Sequence, residues 1–101
     1  MRAKSGSNPD VKRAGARHPY AMGSYVLFNR HSDTECAATF AAWRGFESPL
    51  RRSAPASGCR WSDHRLWWEV EAESAEEALR QLPPFVADRT EAIRVVRAGL
   101  P

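Results

Sequence analysis

The sequence predicts an α+β domain in the order β-α-β-β-α-β, with a four-stranded antiparallel sheet and two helices on one of its faces. Three observations carry this. SYVLFNR and LWWEVEA combine β-branched and aromatic residues with period-two alternation, which marks strands. SDTE and SAEE each place a serine three residues before a glutamate and directly before helix-forming residues, which marks two helix starts. EAIRVVRAGL closes the chain with β-branched residues.

The 101 residues allow one domain and a tail. Residues 1–22 read as a basic leader and 23–101 as the domain. Arg2, Lys4, Lys12, Arg13 and Arg17 face only Asp10, so residues 1–21 carry a charge of 5 − 1 = +4. The remainder carries ten arginines and eleven acids, or −1. The leader offers too little apolar surface to offset the entropy of ordering, so it is expected to be disordered. Met22 reads as a natural start, with the leader a dispensable extension. The alternative is a basic arm for an acidic partner. The near-neutral domain argues against a nucleic-acid partner, which calls for a basic face. No apolar run reaches the roughly 18 residues of a membrane span, and no apolar stretch follows the basic leader as in a secretory signal. The expectation is a cytoplasmic chain with reduced cysteines.

In the first strand, Ser24–Arg30, Tyr25, Leu27 and Asn29 point one way, and Val26, Phe28 and Arg30 the other. The helix DTECAATFAAWR puts Cys36, Phe40 and Trp43 on one face and ends at Gly45 as its C′ residue. The segment from Phe46 to Gly58 reads as a connector, or as a flap presenting Arg51 or Arg52 to an anion. Cys59–Trp61 and Leu66–Ala72 read as a hairpin turning through SDHR. Leu66, Trp68, Val70 and Ala72 share one face, with Trp67, Glu69 and Glu71 opposite. Ser74 caps a second helix that buries Ala78, Leu79 and Leu82. PFVADR makes a last turn after Pro83, and the final strand follows.

This order is the ferredoxin-like split βαβ pattern. With both helices on one face, the other face is left open, with Tyr25, Trp61 and Trp67 as candidates to lie on it. A homodimer with its sheets face to face would cover that surface. In length, topology and the EAESAEEALRQL helix entry, Ser24–Pro101 resembles the small proteins of the dimeric α/β-barrel superfamily. That group includes cofactor-free monooxygenases, muconolactone isomerases, stress-responsive barrel proteins and a nickel-binding branch. The resemblance implies a dimer with a cavity between sheet and helices in each subunit. It assigns no residue a role, because no motif matches residue by residue.

Candidate site residues fall into three sets. His31 and Cys36, and then Cys59 and His64, are thiol and imidazole pairs suited to zinc or nickel. With Cys59 at the far end of a strand and His64 in the turn, the second pair is expected to span over about 10 Å. One four-ligand site is therefore not expected. His31 with Cys36, alone or with a ligand from a second subunit, is the better metal candidate, while Cys59 reads first as a small strand residue and His64 as a solvated turn residue. Trp43, Trp61 and Trp67, with Asn29, Arg30, His31 and Arg51, suit a pocket for a flat apolar small molecule. His31 is also the candidate general base of an enzyme, and Cys36 is either a thiol activated by His31 or a buried inert one. Three functions follow: a small dimeric protein binding a ligand or metal, a cofactor-free monooxygenase or isomerase, and an interaction module.

Overall fold

The computed structural model describes residues 22–101, and the expectations for the leader lie outside the described residues. Four strands form one antiparallel sheet: β1 (Gly23–Arg30), β2 (Ala56–Ser57), β3 (Arg65–Ala72) and β4 (Thr90–Val95), in the spatial order β2-β3-β1-β4. β1 is central, with Leu27 opposite Trp68 on one side and Ala92 on the other. Among the described residues, three short α-helices accompany the sheet, α1 (Cys36–Ala41), α2 (Ala75–Leu79) and α3 (Pro84–Ala87), together with short 3₁₀ turns. Among the described residues, no helix is long and apolar enough to cross a membrane.

The alternation of β1 and β3 sorts their side chains. Tyr25 and Leu27 from β1 join Leu66, Trp68, Val70 and Ala72 from β3 in one core, which Ala78, Leu82 and Val86 complete. Trp43 and Leu79 pack against it. Burial of this apolar surface is the main favourable term, at about 25 cal/mol per Å² removed from water. Ser74 caps α2 by accepting the Glu77 N–H at 3.1 Å. The chain leaves the first helical region through Gly45, whose φ of +74° favours glycine.

The opposite face stays partly exposed. Phe28 and Trp67 face each other across the β1–β3 register, ring centroids 5.6 Å apart. Arg30 lies over Phe28 and Arg65 over Trp67. At the other end of the sheet, Arg97 holds both carboxylate oxygens of Glu69.

Three local expectations are corrected. Tyr25 belongs to the core and not to the open face, because it is in phase with Leu27. Phe40 is 50% exposed, and Thr39 takes the buried position. Thr39 stands three residues after Cys36 and four before Trp43, so the inward stripe runs through it. Its hydroxyl is satisfied inside the helix, donating to the Glu35 carbonyl at 3.0 Å. The third correction moves β2 to Ala56–Ser57 and makes Cys59–Trp61 a 3₁₀ turn. The Trp61 and Ser62 N–H groups donate to the Gly58 and Cys59 carbonyls, so they turn inward instead of joining the sheet ladder. Ser62 then reverses the chain at φ +63°.

Candidate metal centre

His31 directly follows β1, so the central strand sets its position. Two residues earlier, Asn29 is fully buried and hydrogen-bonded at both ends of its amide. Its Nδ2 lies 3.4 Å from the Val86 carbonyl, 3.3 Å from the Arg89 carbonyl and 3.1 Å from Thr90 Oγ1. Carbonyls only accept, so this end must be the nitrogen. Oδ1 therefore faces His31 Nδ1, at 2.8 Å, and accepts its proton. That fixes the tautomer: Nδ1 carries hydrogen and Nε2 presents a lone pair. Nε2 lies 3.5 Å from Cys59 Sγ.

The turn after His31 brings Cys36 round. The Ser32 N–H donates to Glu35 Oε1 at 2.9 Å, which completes the capping contact expected from SDTE. Asp33–Glu35 forms a 3₁₀ turn and α1 begins at Cys36. Arg89 binds the Glu35 carboxylate at 3.0 Å and ties this corner to the segment between α3 and β4. The Ser32 amide and the Arg89 side chain together hold the Glu35 carboxyl at about 2, well below its ordinary value.

The second half is a loop between β2 and β3. Gly58 accepts from Trp61 N–H at 2.9 Å and from Asp63 N–H at 3.0 Å, so the loop closes on itself. A Cβ at Gly58 would stand 2.5 Å from the Asp63 carbonyl oxygen, so only glycine fits there. Cys59 opens the 3₁₀ turn and donates its N–H to Ser57 Oγ. His64 closes the loop, and its carbonyl accepts from the His31 N–H at 3.1 Å. One backbone bond thus joins the two histidine positions.

His64 is oriented in the same manner as His31. Its Nε2 meets Asp33 Oδ1 at 3.2 Å, while its Nδ1 is buried without a hydrogen-bond partner. A neutral His64 that donates through Nε2 leaves a lone pair on Nδ1. The two rings lie 5.3 Å apart.

The four side chains converge. One ligand atom from each of His31, Cys36, Cys59 and His64 lies within 4.8 Å of all the others. The expectation that the four residues do not meet is overturned, because Cys59 sits in the loop and not at the far end of a strand. Zinc bonds of about 2.3 Å to sulfur and about 2.05 Å to nitrogen put the N···S edge of a tetrahedron at about 3.5 Å. The His31–Cys59 contact already has that length. Burial lowers the His31 pKa, aided by the neighbouring His64 and opposed by Glu35, which favours the neutral ligand form. Burial raises the Cys36 pKa, with further contributions from the Cys59 thiol and from Asp33. A cation between the sulfurs would reverse that preference, since thiolate is the ligand form.

The chain matches no protein-family model, no curated protein and no solved structure.

The remaining sequence candidates are not brought to this corner. Arg30 and Trp67 lie on the other sheet face, stacked with Phe28 and Arg65. Arg51 pairs with Glu47, four residues earlier, at 3.1 Å. Trp61 is 76% exposed beside Arg60. Trp43 packs on Trp68 and Phe46. A groove at the Gly23 end of the sheet is lined by residues including Met22, Val26, Glu69, Glu71, Arg94 and Arg97, and contains none of the candidates. Sequence reasoning missed Asp33 as a partner of His64. No local signal marks it, since the contact crosses 31 positions. Asn29 was found as a polar group near His31, but its orienting contact needs the strand ends of the fold.

Proposed function

We propose that this chain is a small zinc-binding protein, with His31, Cys36, Cys59 and His64 as the four ligands of one tetrahedral ion. The observation that supports it is the convergence of four ligand atoms from two distant segments within 4.8 Å. The orienting contacts of Asn29 and Asp33 add to it, since metal-binding histidines characteristically donate their other nitrogen to such partners. Two sulfurs and two nitrogens in a tetrahedral set favour zinc over nickel, which prefers planar or octahedral surroundings. Four protein ligands leave no open position for water, so the reading is a binding or structural role and not hydrolysis. An ion there would pin the β2–β3 loop to the corner between β1 and α1. The test is elemental analysis of untagged protein together with cobalt(II) substitution. The expected result is one ion per chain and a tetrahedral cobalt spectrum with thiolate charge transfer. Absence of stoichiometric metal after incubation with zinc would sink the reading.

The strand order β2-β3-β1-β4, with β3 between β1 and β2, supports the ferredoxin-like topology as the finer description of the fold. The open sheet face supports a homodimer. Phe28 and Trp67, only partly buried on this face, are the apolar surface that the sheet of a second copy would cover. Light scattering tests it: a mass of about twice 11.3 kDa is expected, and a monomer at all concentrations would remove this element.

A further inference from the structure

We propose, resting on the zinc reading above, that Cys36 and Cys59 form a peroxide-oxidisable dithiol whose closure to a disulfide expels the ion. The chain contains two cysteines, both free and both only partly buried. They come from different segments, one at the start of α1 and one in the β2–β3 loop, yet their sulfurs belong to the same set within 4.8 Å. With no third cysteine, oxidation has a single intramolecular disulfide product.

Metal and disulfide exclude one another here on geometric grounds. A tetrahedral zinc ion holds two sulfurs about 3.7 Å apart, given Zn–S bonds of about 2.3 Å. A disulfide holds them at about 2.05 Å and removes both thiolates as ligands. His31 and His64 would then be the only ligands left of the four, too few for a closed site. The loop also has its own reason to keep its shape in either state, because Gly58 closes it by backbone bonds that involve neither sulfur.

The chemistry balances with hydrogen peroxide as oxidant. One thiolate attacks the peroxide O–O bond, giving a sulfenic acid and hydroxide. The second thiolate attacks the sulfenic sulfur, the S–S bond forms and the S–O bond breaks, with hydroxide leaving. In sum, two thiolates, one hydrogen peroxide and two protons give one disulfide and two waters. The sulfurs lose two electrons and the peroxide gains them. A dithiol reductant reverses the step and restores the ligands.

The test treats zinc-loaded full-length chain with stoichiometric hydrogen peroxide. A chromogenic chelator reads released zinc, thiol titration reads free sulfhydryls, and peptide mass spectrometry reads the linkage. The expected result is loss of both thiols per zinc released, a peptide pair joined through Cys36 and Cys59, and recovery of zinc binding after dithiothreitol. Cys59→Ser is expected to abolish the linked peptide. Zinc-loaded protein that keeps its metal and thiols while a free thiol of similar exposure is consumed would overturn the proposal. So would metal loss with both sulfurs driven to sulfinic acid and no linkage. Failure to bind zinc at all is a distinct outcome: it overturns the site reading, and the release step with it.

Discussion

The two halves of the candidate metal centre are built alike but held differently. Each places a histidine and a cysteine five positions apart with a 3₁₀ turn within or between them. The His31–Cys36 half hangs from the central strand, with Asn29 fully buried behind it and Arg89 gripping Glu35. The Cys59–His64 half is a loop whose Arg60, Trp61 and Ser62 are exposed and whose shape rests on backbone bonds to Gly58. One half is made by the core and the other by local chain geometry. An ion would couple a rigid support to a pliant one, and its energy would appear mainly as order in the loop.

Withdrawing a bound ion is expected to separate the two halves most. At a free zinc concentration of about 1,000 times Kd, binding adds about 4 kcal/mol to stability. For a domain of this size, each kcal/mol moves Tm by roughly 4–8 °C. Chelation is therefore expected to lower Tm by roughly 15 °C or more in calorimetry, and hydrogen exchange should rise in residues 58–64 well before it rises in β1. Equal loss of protection in both halves would show that the loop is no more pliant than the corner.

Asn29→Ala comes next. It leaves the His31 Nδ1 proton and several acceptors without their buried partner, at a cost of about 2–3 kcal/mol. The loss should appear in the metal-free protein by urea unfolding, and zinc affinity should fall as well, since the His31 tautomer is no longer held. A variant with unchanged metal-free stability would contradict the core-held account of this half.

Gly58→Ala attacks the other half. The added Cβ meets the Asp63 carbonyl oxygen at 2.5 Å, so the loop must open. A strain of about 1–3 kcal/mol corresponds to a roughly ten- to hundred-fold weaker zinc Kd in competition titration. Metal-free Tm should change much less than in Asn29→Ala. Reversal of that order would mean that the loop, and not the corner, carries the fold.

Asp33→Asn is a smaller perturbation. The side chain is 91% exposed and an amide oxygen can still accept from His64 Nε2, so a loss of about tenfold in zinc affinity is expected with folding unchanged. The smallest effect concerns acid. The Glu35 carboxyl, at about 2, lies below its unfolded value, so its stabilising contacts are fully present above roughly pH 4.5 and are lost as pH falls toward 2. Glu35→Gln should flatten the pH dependence of metal-free stability across that window. An unchanged slope would show that the Ser32 and Arg89 contacts do not persist in solution.

Much of the fold was legible because its signals are local. Alternation in SYVLFNR and LWWEVEA marks which side chains face the core, and Ser74 caps α2 as its type suggests. The first helix is shorter than expected, ending at Ala41 with its C-cap at Ala42, so Gly45 takes its positive φ in the turn beyond and not as the C′ residue. The stripe of α1 was read one residue off, since Phe40 is the larger hydrophobe but Thr39 has the inward angle. The position of β2 was not legible. Cys-Arg-Trp has better strand character than Ala-Ser, yet the ladder to β3 depends on where Gly58 allows the chain to fold back.

Side-chain type and short spacing define the β1 and β3 faces, the helix starts and the list of four candidate ligand residues, and all of these are read from the sequence alone. Only the tertiary structure decided that the four converge. Sheet register carries β3 beside β1, the His31 N–H meets the His64 carbonyl, and a closed loop turns Cys59 inward. Such convergence depends on pairings across some 30 residues, and no local preference encodes a distance over that span.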